Sequence, residues 1–313
     1  NSIAPLASPK VDQQTWGFKL NHIFNDVHRI SGMFNKTFRP SVKSPGPSRL
    51  IPVGDTTALA NYNDQDVTTH VIHLNLDSNL SATTLNHLGL GFSRFRNPNF
   101  SQSFNQGWVQ PNGGKLGLTG LQFDLFPTVI FDTEGYTRYG DHIASDNYFN
   151  TYTILDTVTF VRGNHTIKVG GEMQYHQDTY RRFGNGGGDF RFRRESTGLP
   201  GASATGDAWA SFLLGEVYTG SAFYKATAPT GRYNNIGYFI DDTWKLTSRL
   251  TLNLGFRQEM IIPHADPAGR LSYMDVGLGN PAAGGLPGAM VFGGPQGFGT
   301  RLLNKLMWNP APR

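Results

Sequence analysis

Leu250-Thr251-Leu252-Asn253-Leu254-Gly255-Phe256-Arg257-Gln258-Glu259-Met260 alternates apolar and polar residues with a period of two. Successive Cβ atoms of an extended chain point to opposite faces. Leu250, Leu252, Leu254 and Phe256 therefore share one side, and Thr251, Asn253, Gly255, Arg257 and Glu259 share the other. A helix would scatter both sets around its circumference. The preceding segment, Tyr233 to Leu246, is rich in β-formers, and only Thr247-Ser248-Arg249 separates it from the next strand. The spacing predicts a hairpin with a very short turn.

The same unit recurs upstream. Trp16, Phe18, Leu20 and Phe24 lie along a strand, Asn25-Asp26-Val27-His28 turns, and residues 29–39 return. Residues 67–76 form a strand, the turn falls near Asp77-Ser78-Asn79, and residues 84–95 return with Leu88, Leu90 and Phe92 on one face. Residues 152–161 form another strand, turning at Arg162-Gly163-Asn164-His165 into residues 166–175. There Ile167, Val169, Met173 and Tyr175 oppose Lys168, Glu172, Gln174 and His176. This predicts four hairpins, or about eight strands. The connections between hairpins run to roughly 25–55 residues and are polar, with Gly, Pro and Asn, whereas loops that long are uncommon in compact domains. Tight turns at one end and very long loops at the other are the signature of an outer-membrane barrel.

On this reading the aliphatic and aromatic face meets lipid and the Thr/Asn/Arg/Glu face meets a wet lumen. Backbone groups in lipid must all be paired, so the sheet has to close. Eight strands can close alone, but loops of this size over so narrow a barrel are unusual. The expected fold is therefore all-β: an antiparallel transmembrane β-barrel wall, about eight strands of a larger barrel, with long extracellular loops. No linker divides the chain, and residues 1–313 read as one partial barrel domain. Candidate lumen-facing residues are Lys168, Glu172, Thr251, Asn253, Arg257 and Glu259. Candidate interface aromatics are Trp16, Tyr152, Tyr238 and Trp244, whose amphipathic rings suit the membrane–water boundary. Residues 152–161 mix apolar and polar side chains on both faces, which leaves their orientation open. One short helix is predicted, capped by Asp207, with Trp209, Phe212 and Leu213 on one face and Gly215 at its end. Residues 281–299, crowded with Pro and Gly, read as loop.

Composition agrees with a wall of strands. Hydrophobic residues make up 38% of the 313, aromatics 12%, and there are 38 glycines. The mean hydropathy is −0.35. No stretch approaches the length of a membrane-spanning helix, but a barrel strand needs only about 9–11 alternating residues. The absence of cysteine leaves no disulfide framework and no thiolate metal site. A net charge of +4 over this length makes no case for nucleic acid. The densest basic spot, Arg191-Phe192-Arg193-Arg194, reads as a solvated loop. The start, Asn1-Ser2-Ile3-Ala4-Pro5, has neither a basic nor an apolar leader region, so the chain is expected not to begin at its natural start.

Sites of chemistry are hard to find. His70 and His73 are three apart, on opposite faces of a strand, and do not readily share a metal. Asp241 and Asp242 are adjacent and cannot face each other as an acid/base pair. If Asp242 shares a face with Trp244, it should lie near the membrane edge, because charge is costly in mid-bilayer. Gly184-Asn185-Gly186-Gly187-Gly188 lacks the Lys-Ser/Thr ending of a phosphate-binding loop. No enzyme and no cofactor are expected.

Several stretches resemble one family. Residues 237–259, from Gly237-Tyr238-Phe239-Ile240-Asp241-Asp242-Thr243-Trp244 through Leu250-Thr251-Leu252-Asn253-Leu254-Gly255-Phe256 to Glu259, look like the signature hairpin of TonB-dependent receptors, above all of the Oar-like branch. Thr159-Phe160-Val161-Arg162-Gly163-Asn164-His165-Thr166-Ile167-Lys168-Val169-Gly170-Gly171-Glu172 is similar to a second family hairpin. Ala208-Trp209-Ala210-Ser211-Phe212-Leu213-Leu214-Gly215 resembles the family's ADFLLG helix, and residues 280–289 resemble its following loop. Trp308-Asn309-Pro310-Ala311-Pro312-Arg313 resembles the segment just before the next strand. The resemblance implies an energised importer or surface receptor in the outer membrane, with lipid around it, an unknown ligand at its extracellular loops, and a plug released by the TonB complex. The carboxypeptidase-regulatory-like domain, the TonB box, the plug and the C-terminal strands have no counterpart among these stretches, so the fragment alone is not expected to transport. Two alternatives stay open: an adhesive surface barrel without transport, and a soluble secreted β-protein that buries the Leu250/Leu252/Leu254/Phe256 face in a core.

Overall fold

A computed structural model describes residues 11–43, 63–101, 116–121, 126–132, 136, 138, 140, 144–182, 186–223, 228–301 and 307–312. Eight long strands form the four expected hairpins. They are β1 (Gln14–Ile23) with β2 (His28–Lys43), β3 (Asn63–Ser81) with β4 (Thr84–Ser101), β6 (Ala144–Arg162) with β7 (His165–Arg182), and β10 (Thr230–Lys245) with β11 (Thr251–Ala265). A ninth, β14 (Met307–Pro312), pairs with β11. The segment from Trp308 is thus already in the sheet and does not merely precede a strand. The nine strands make one antiparallel sheet in the order β1-β2-β3-β4-β6-β7-β10-β11-β14, whose two ends do not pair with each other.

Short-range chemistry shapes the turns. Asn25 Oδ1 accepts hydrogen bonds from the backbone N–H groups of Val27 and His28 at 2.9 and 2.8 Å, an Asx turn. Gly163, at φ 60°, closes β6 onto β7 where a side chain would be strained. The Thr247 hydroxyl accepts from Arg249 N and Leu250 N at 3.2 and 3.0 Å. The second hairpin differs from expectation. Asp77, Ser78 and Asn79 remain in the ladder opposite His87, Asn86 and Leu85, and the chain turns later, at Ala82-Thr83. Their side chains find cross-strand partners: Asp77 meets His87 at 2.6 Å and Ser78 meets His28 at 2.9 Å. Those pairings outweigh the local turn preference of the three residues.

The register sorts every long strand into two faces. One carries Trp16, Phe18 and Leu20; Ile30 and Phe34; Ile72, Leu74 and Leu76; Leu88, Leu90 and Phe92; Ile167, Val169 and Met173; Ile236, Ile240 and Trp244; and Leu252, Leu254 and Phe256. The ladder also settles β6. Tyr152, Ile154, Val158 and Phe160 join this apolar face, and Thr151, Thr153, Leu155, Thr157 and Thr159 take the other. The turns recede steadily from any one ladder row. Phe34 stands six residues after His28, while Ile262, in the same row, stands eleven after Thr251. The strands thus run obliquely to the line of turns, as the tilt of a barrel wall requires.

Among the described residues the wall has no packed apolar cluster of its own. The packed cluster lies instead at the end with the long connections. There β5 (Thr128–Phe131), β8 (Asp189–Phe192) and β9 (Thr219–Ser221) form a small sheet, with β5 and β8 parallel. Helix α1 (Ala208–Leu213) packs on it through Phe131, Phe192, Ala208, Trp209 and Phe212. As the sequence suggests, Asp207 caps α1, accepting from Trp209 N and Ala210 N. The expectation of a solvated loop at 191–194 is corrected: Phe192 is 5% exposed, and Arg191 and Arg193 both bond Asp132, at 3.3 and 3.1 Å. Strand alternation turns Phe192 inward and leaves the two arginines on the other side, where a carboxylate meets them. Part of the 281–299 stretch is likewise not loop. Ser272–Asn280 (β12) and Leu286–Phe292 (β13) form a separate hairpin, joined by a turn in which Pro281–Ala283 make a single 3-10 turn and Gly284 sits at φ 67°. Pro and Gly serve that turn and leave Met290, Val291 and Phe292 free to pair.

Candidate functional site

The candidate site is the polar face of β7, β10 and β11. Three ladder rows build it. Lys168 stands opposite Asp241, and Asp241 opposite Gly255; Gly170 opposite Phe239, and Phe239 opposite Arg257; Glu172 opposite Gly237, and Gly237 opposite Glu259. Lys168, Glu172, Arg257 and Glu259 are thereby brought together. Thr251 and Asn253 share the face but lie nearer the turn, where Thr243 Oγ1 donates to Asn253 Oδ1 at 3.0 Å.

Glycines create room among the larger side chains. Phe239 lies across Gly170, where a Cβ would come within 2.7 Å of the ring, and the Lys168 ammonium stands 5.6 Å from the ring centroid. Arg257 Nε donates to Glu259 Oε1 at 2.7 Å, and Gln174 Nε2 donates to Glu172 Oε1 at 2.5 Å. Between these pairs the face opens into two hollows. One, of about 210 Å³, is lined by Glu172, Gln174, Asn235, Arg257 and Glu259. The other, of about 330 Å³, is lined by Thr157, Lys168, Glu172, Phe239, Asp241 and Arg257. The surface offers both signs of charge, amide groups and one ring, half-buried except for Lys168 and bonded within two pairs. It can bind polar chain; it does not assemble a nucleophile with a base.

Sequence reasoning placed Gln174 on the face of Lys168 and Glu172 but did not name Phe239, Asp241 or Asn235 as parts of this surface. The signal was present, since all three have the parity of Thr243 along β10. It also missed a stack at the loop end of the same face. Tyr233 lies between His176 and His264, with ring centroids 4.3 and 4.4 Å away, and Asp178 Oδ2 is 3.8 Å from His264 Nε2. A bulge puts His264 there. Arg232 pairs with Ala265 and Asn234 with Ile262, so β11 carries one extra residue around Pro263. Pro has no N–H to give the ladder, and bulges re-aim the residues that follow.

The apolar face holds the four expected interface aromatics. Trp244 stacks on His165 at the turn end, with centroids 5.1 Å apart. Tyr152 lies at the loop end of the apolar band, 5.0 Å from Phe92 and 6.1 Å from Tyr175. Trp16 stands one step beyond Phe18, opposite Lys36. Tyr238 is placed between the two rims, opposite Gly171 and Gln258. Asp242 does share the face with Trp244 and lies near the turn, bonded to His165 at 2.7 Å, while Asp241 points the other way. His70 and His73 also take opposite faces, opposite Arg94 and Gly91. One acid is unexpected. Asp156 sits in the middle of the apolar band between Leu88 and Gly171, accepting from Asn86 Nδ2 at 2.6 Å.

The alternative of a soluble β-protein required the apolar face to be buried. Leu250, Leu254 and Phe256 are instead 46%, 53% and 40% exposed, as a surface built for lipid must be. The comparisons agree. The family model described as "Outer membrane beta barrel domain" matches residues 1–313. No curated protein sequence matches the chain. Among solved structures, the outer membrane transporter YddB from Escherichia coli is similar in fold, with a TM-score of 0.52 at 11% identity over 82% of this chain. The copper transporter OprC aligns over 96% of the chain with a TM-score of 0.45 and 10% identity. The chain spans 29% of the length of YddB and 34% of that of OprC. With its exposed apolar band, polar inner face and tight turns opposite long loops, the chain belongs to the outer membrane beta barrel domain family and resides in the outer membrane.

Proposed function

We propose that this chain is part of the wall of a TonB-dependent receptor of the Oar-like type, and that its polar face contacts a plug and the ligand moving past it. The observation that carries the reading is the cluster on β7, β10 and β11. Half-buried Arg257 is bonded to Glu259 and half-buried Glu172 to Gln174, around Gly170 and Gly237, with the exposed Lys168 ammonium beside the Phe239 ring. A polar domain packed inside the barrel would find charge of both signs, amides and a ring to bond in these hollows. The family hairpins quoted above support the same reading. The carboxypeptidase-regulatory-like domain, the TonB box and the plug would lie outside residues 1–313. The ligand would meet the long loops first, since specificity resides in loops held by a rigid scaffold. The chain works as a receptor and performs no covalent chemistry.

The test uses full-length protein with a photo-crosslinking amino acid in place of Glu172 or, as a control, Val169. The Glu172 position is expected to crosslink within the protein, to a segment outside the wall, and Val169 to lipid. The purified C-terminal domain of TonB is expected to bind the same preparation. Crosslinking without TonB binding would leave a plugged barrel that is not energised by TonB; the absence of both would overturn the reading.

A further inference from the structure

The outward face of the wall changes character in a single ladder step. Phe18, Phe34, Ile72 and Phe92 stand opposite one another on β1 to β4. The next row toward the loops is Trp16, Lys36, His70 and Arg94. On β4 Arg94 stands ten residues from Thr84 at the turn. At a rise of about 3.3 Å and a tilt near 40°, ten residues climb about 25 Å, the height of the apolar band of such a wall. Arg94 therefore lies at headgroup level on the loop side, and Lys36, eight residues from His28 on the tilted β2, lies about 5 Å deeper, within reach of its long side chain. Trp16, 68% exposed, has a ring suited to that depth.

Like charges directly opposite one another weaken a sheet. Here Lys36, His70 and Arg94 occupy consecutive strands, so the two permanent cations are about 10 Å apart across the imidazole. Arg94 and His70 contact rings. Arg94 stands 5.0 Å from the Tyr148 centroid, and His70 lies 6.4 Å from Phe34. Among the described residues no carboxylate forms an ion pair with Lys36, His70 or Arg94. Asp146 is taken by Arg96 through two bonds of 2.8 Å, and Asp66 stands four residues further along β3 toward the loops. Like-charged groups at a lipid boundary call for an anion from the lipid.

We propose that Lys36, His70 and Arg94 bind the phosphorylated headgroup of a lipid in the leaflet on the loop side, with its acyl chains lying over Phe18, Phe34, Ile72 and Phe92. The guanidinium can take two phosphate oxygens at once, and the ammonium supplies a point charge to the same group. The site rests on the barrel wall and its outer-membrane location, not on the transport reading.

Full-length protein in phosphatidylcholine nanodiscs carrying a minority of phosphatidic acid tests it, with retained lipid counted by native mass spectrometry. The wild type is expected to retain phosphatidic acid over phosphatidylcholine. Each cation removed in Lys36→Gln and Arg94→Gln should lower that preference roughly five-fold. Arg162→Gln with Arg249→Gln, at the turn end, should leave it unchanged, and Lys36→Arg should preserve it, which separates lost binding from lost folding. Equal retention in the row and control variants would overturn the proposal. So would displacement of the lipid from the wild type by inorganic phosphate, which would make this a site for free anions.

Discussion

At the residue scale, charge in this wall is tolerated where a partner is built in. Asp266, just beyond β11, is fully buried, and Arg270 donates to its two oxygens at 2.8 and 2.9 Å while Ala268 N donates at 3.0 Å. Burial pushes this carboxyl up, but the Arg270 and backbone hydrogen bonds outweigh it and hold it below the usual carboxylate range. A lowered carboxylate contributes stability that is complete above its unfolded value and lost as pH falls through the folded one. The link from Asp266 N to Thr300 O, 2.8 Å long, should thus persist at pH 5 and loosen only in stronger acid. Arg270→Ala should weaken it by about 2 kcal/mol, less than for a fully buried pair because the guanidinium is partly solvated. Hydrogen exchange at residues 266–270 as a function of pH reads both effects; protection that is insensitive to acid would contradict this account. Asp156 is the opposite case. It faces lipid in mid-band with Asn86 as its bonded partner, and polar pairs can often be replaced by apolar residues at no loss. Asn86→Leu with Asp156→Leu should raise stability against urea in lipid vesicles by roughly 1–3 kcal/mol. A fall would show that the pair is needed to join β4 to β6.

At the element scale, the strands and the loop sheet have separate sources of stability. The wall is held by its ladders and by the solvent on each face. The β5-β8-β9 sheet is held by rings: Phe131 lies 5.2 Å from Trp209 and 5.5 Å from Phe212, and Phe192 lies 5.1 Å from Phe212. Phe131→Ala should cost this unit about 3–5 kcal/mol and leave the wall intact. Faster protease cleavage within residues 186–223, with unchanged β circular dichroism, is the expected result. Loss of the β signal would instead mean that wall and loop sheet fold together.

At the scale of the whole molecule, the sheet runs from β1 to β14 without closing. Among the described residues each end presents unpaired backbone groups, which in hydrocarbon cost several kcal/mol apiece and in water invite association. The chain expressed alone should therefore fail to give a stable monomer in detergent. Electrophoresis with and without heating checks this, and a sharp heat-modifiable monomer band would show that nine strands suffice.

The sequence by itself determined the faces of four long strands, three of the four turns and the cap of the helix, because each depends on residues two to four apart. Leu252, Leu254 and Phe256 can only share a side, and Asp207 can only meet the N–H groups that follow it. Lys168, Glu172, Arg257 and Glu259 were legible as one face for the same reason. Tertiary pairing decided the rest. β6 took its orientation from β4 and β7, since its own two faces are too alike in polarity. Asp77 to Asn79 stayed in a strand because His87 and His28 were across from them. β5 found β8 in parallel from a separate loop, and the bulge at Pro263 turned His264 onto Tyr233. Such contacts join residues far apart in the chain, and no local period records which distant partner will supply the missing hydrogen bonds or ring.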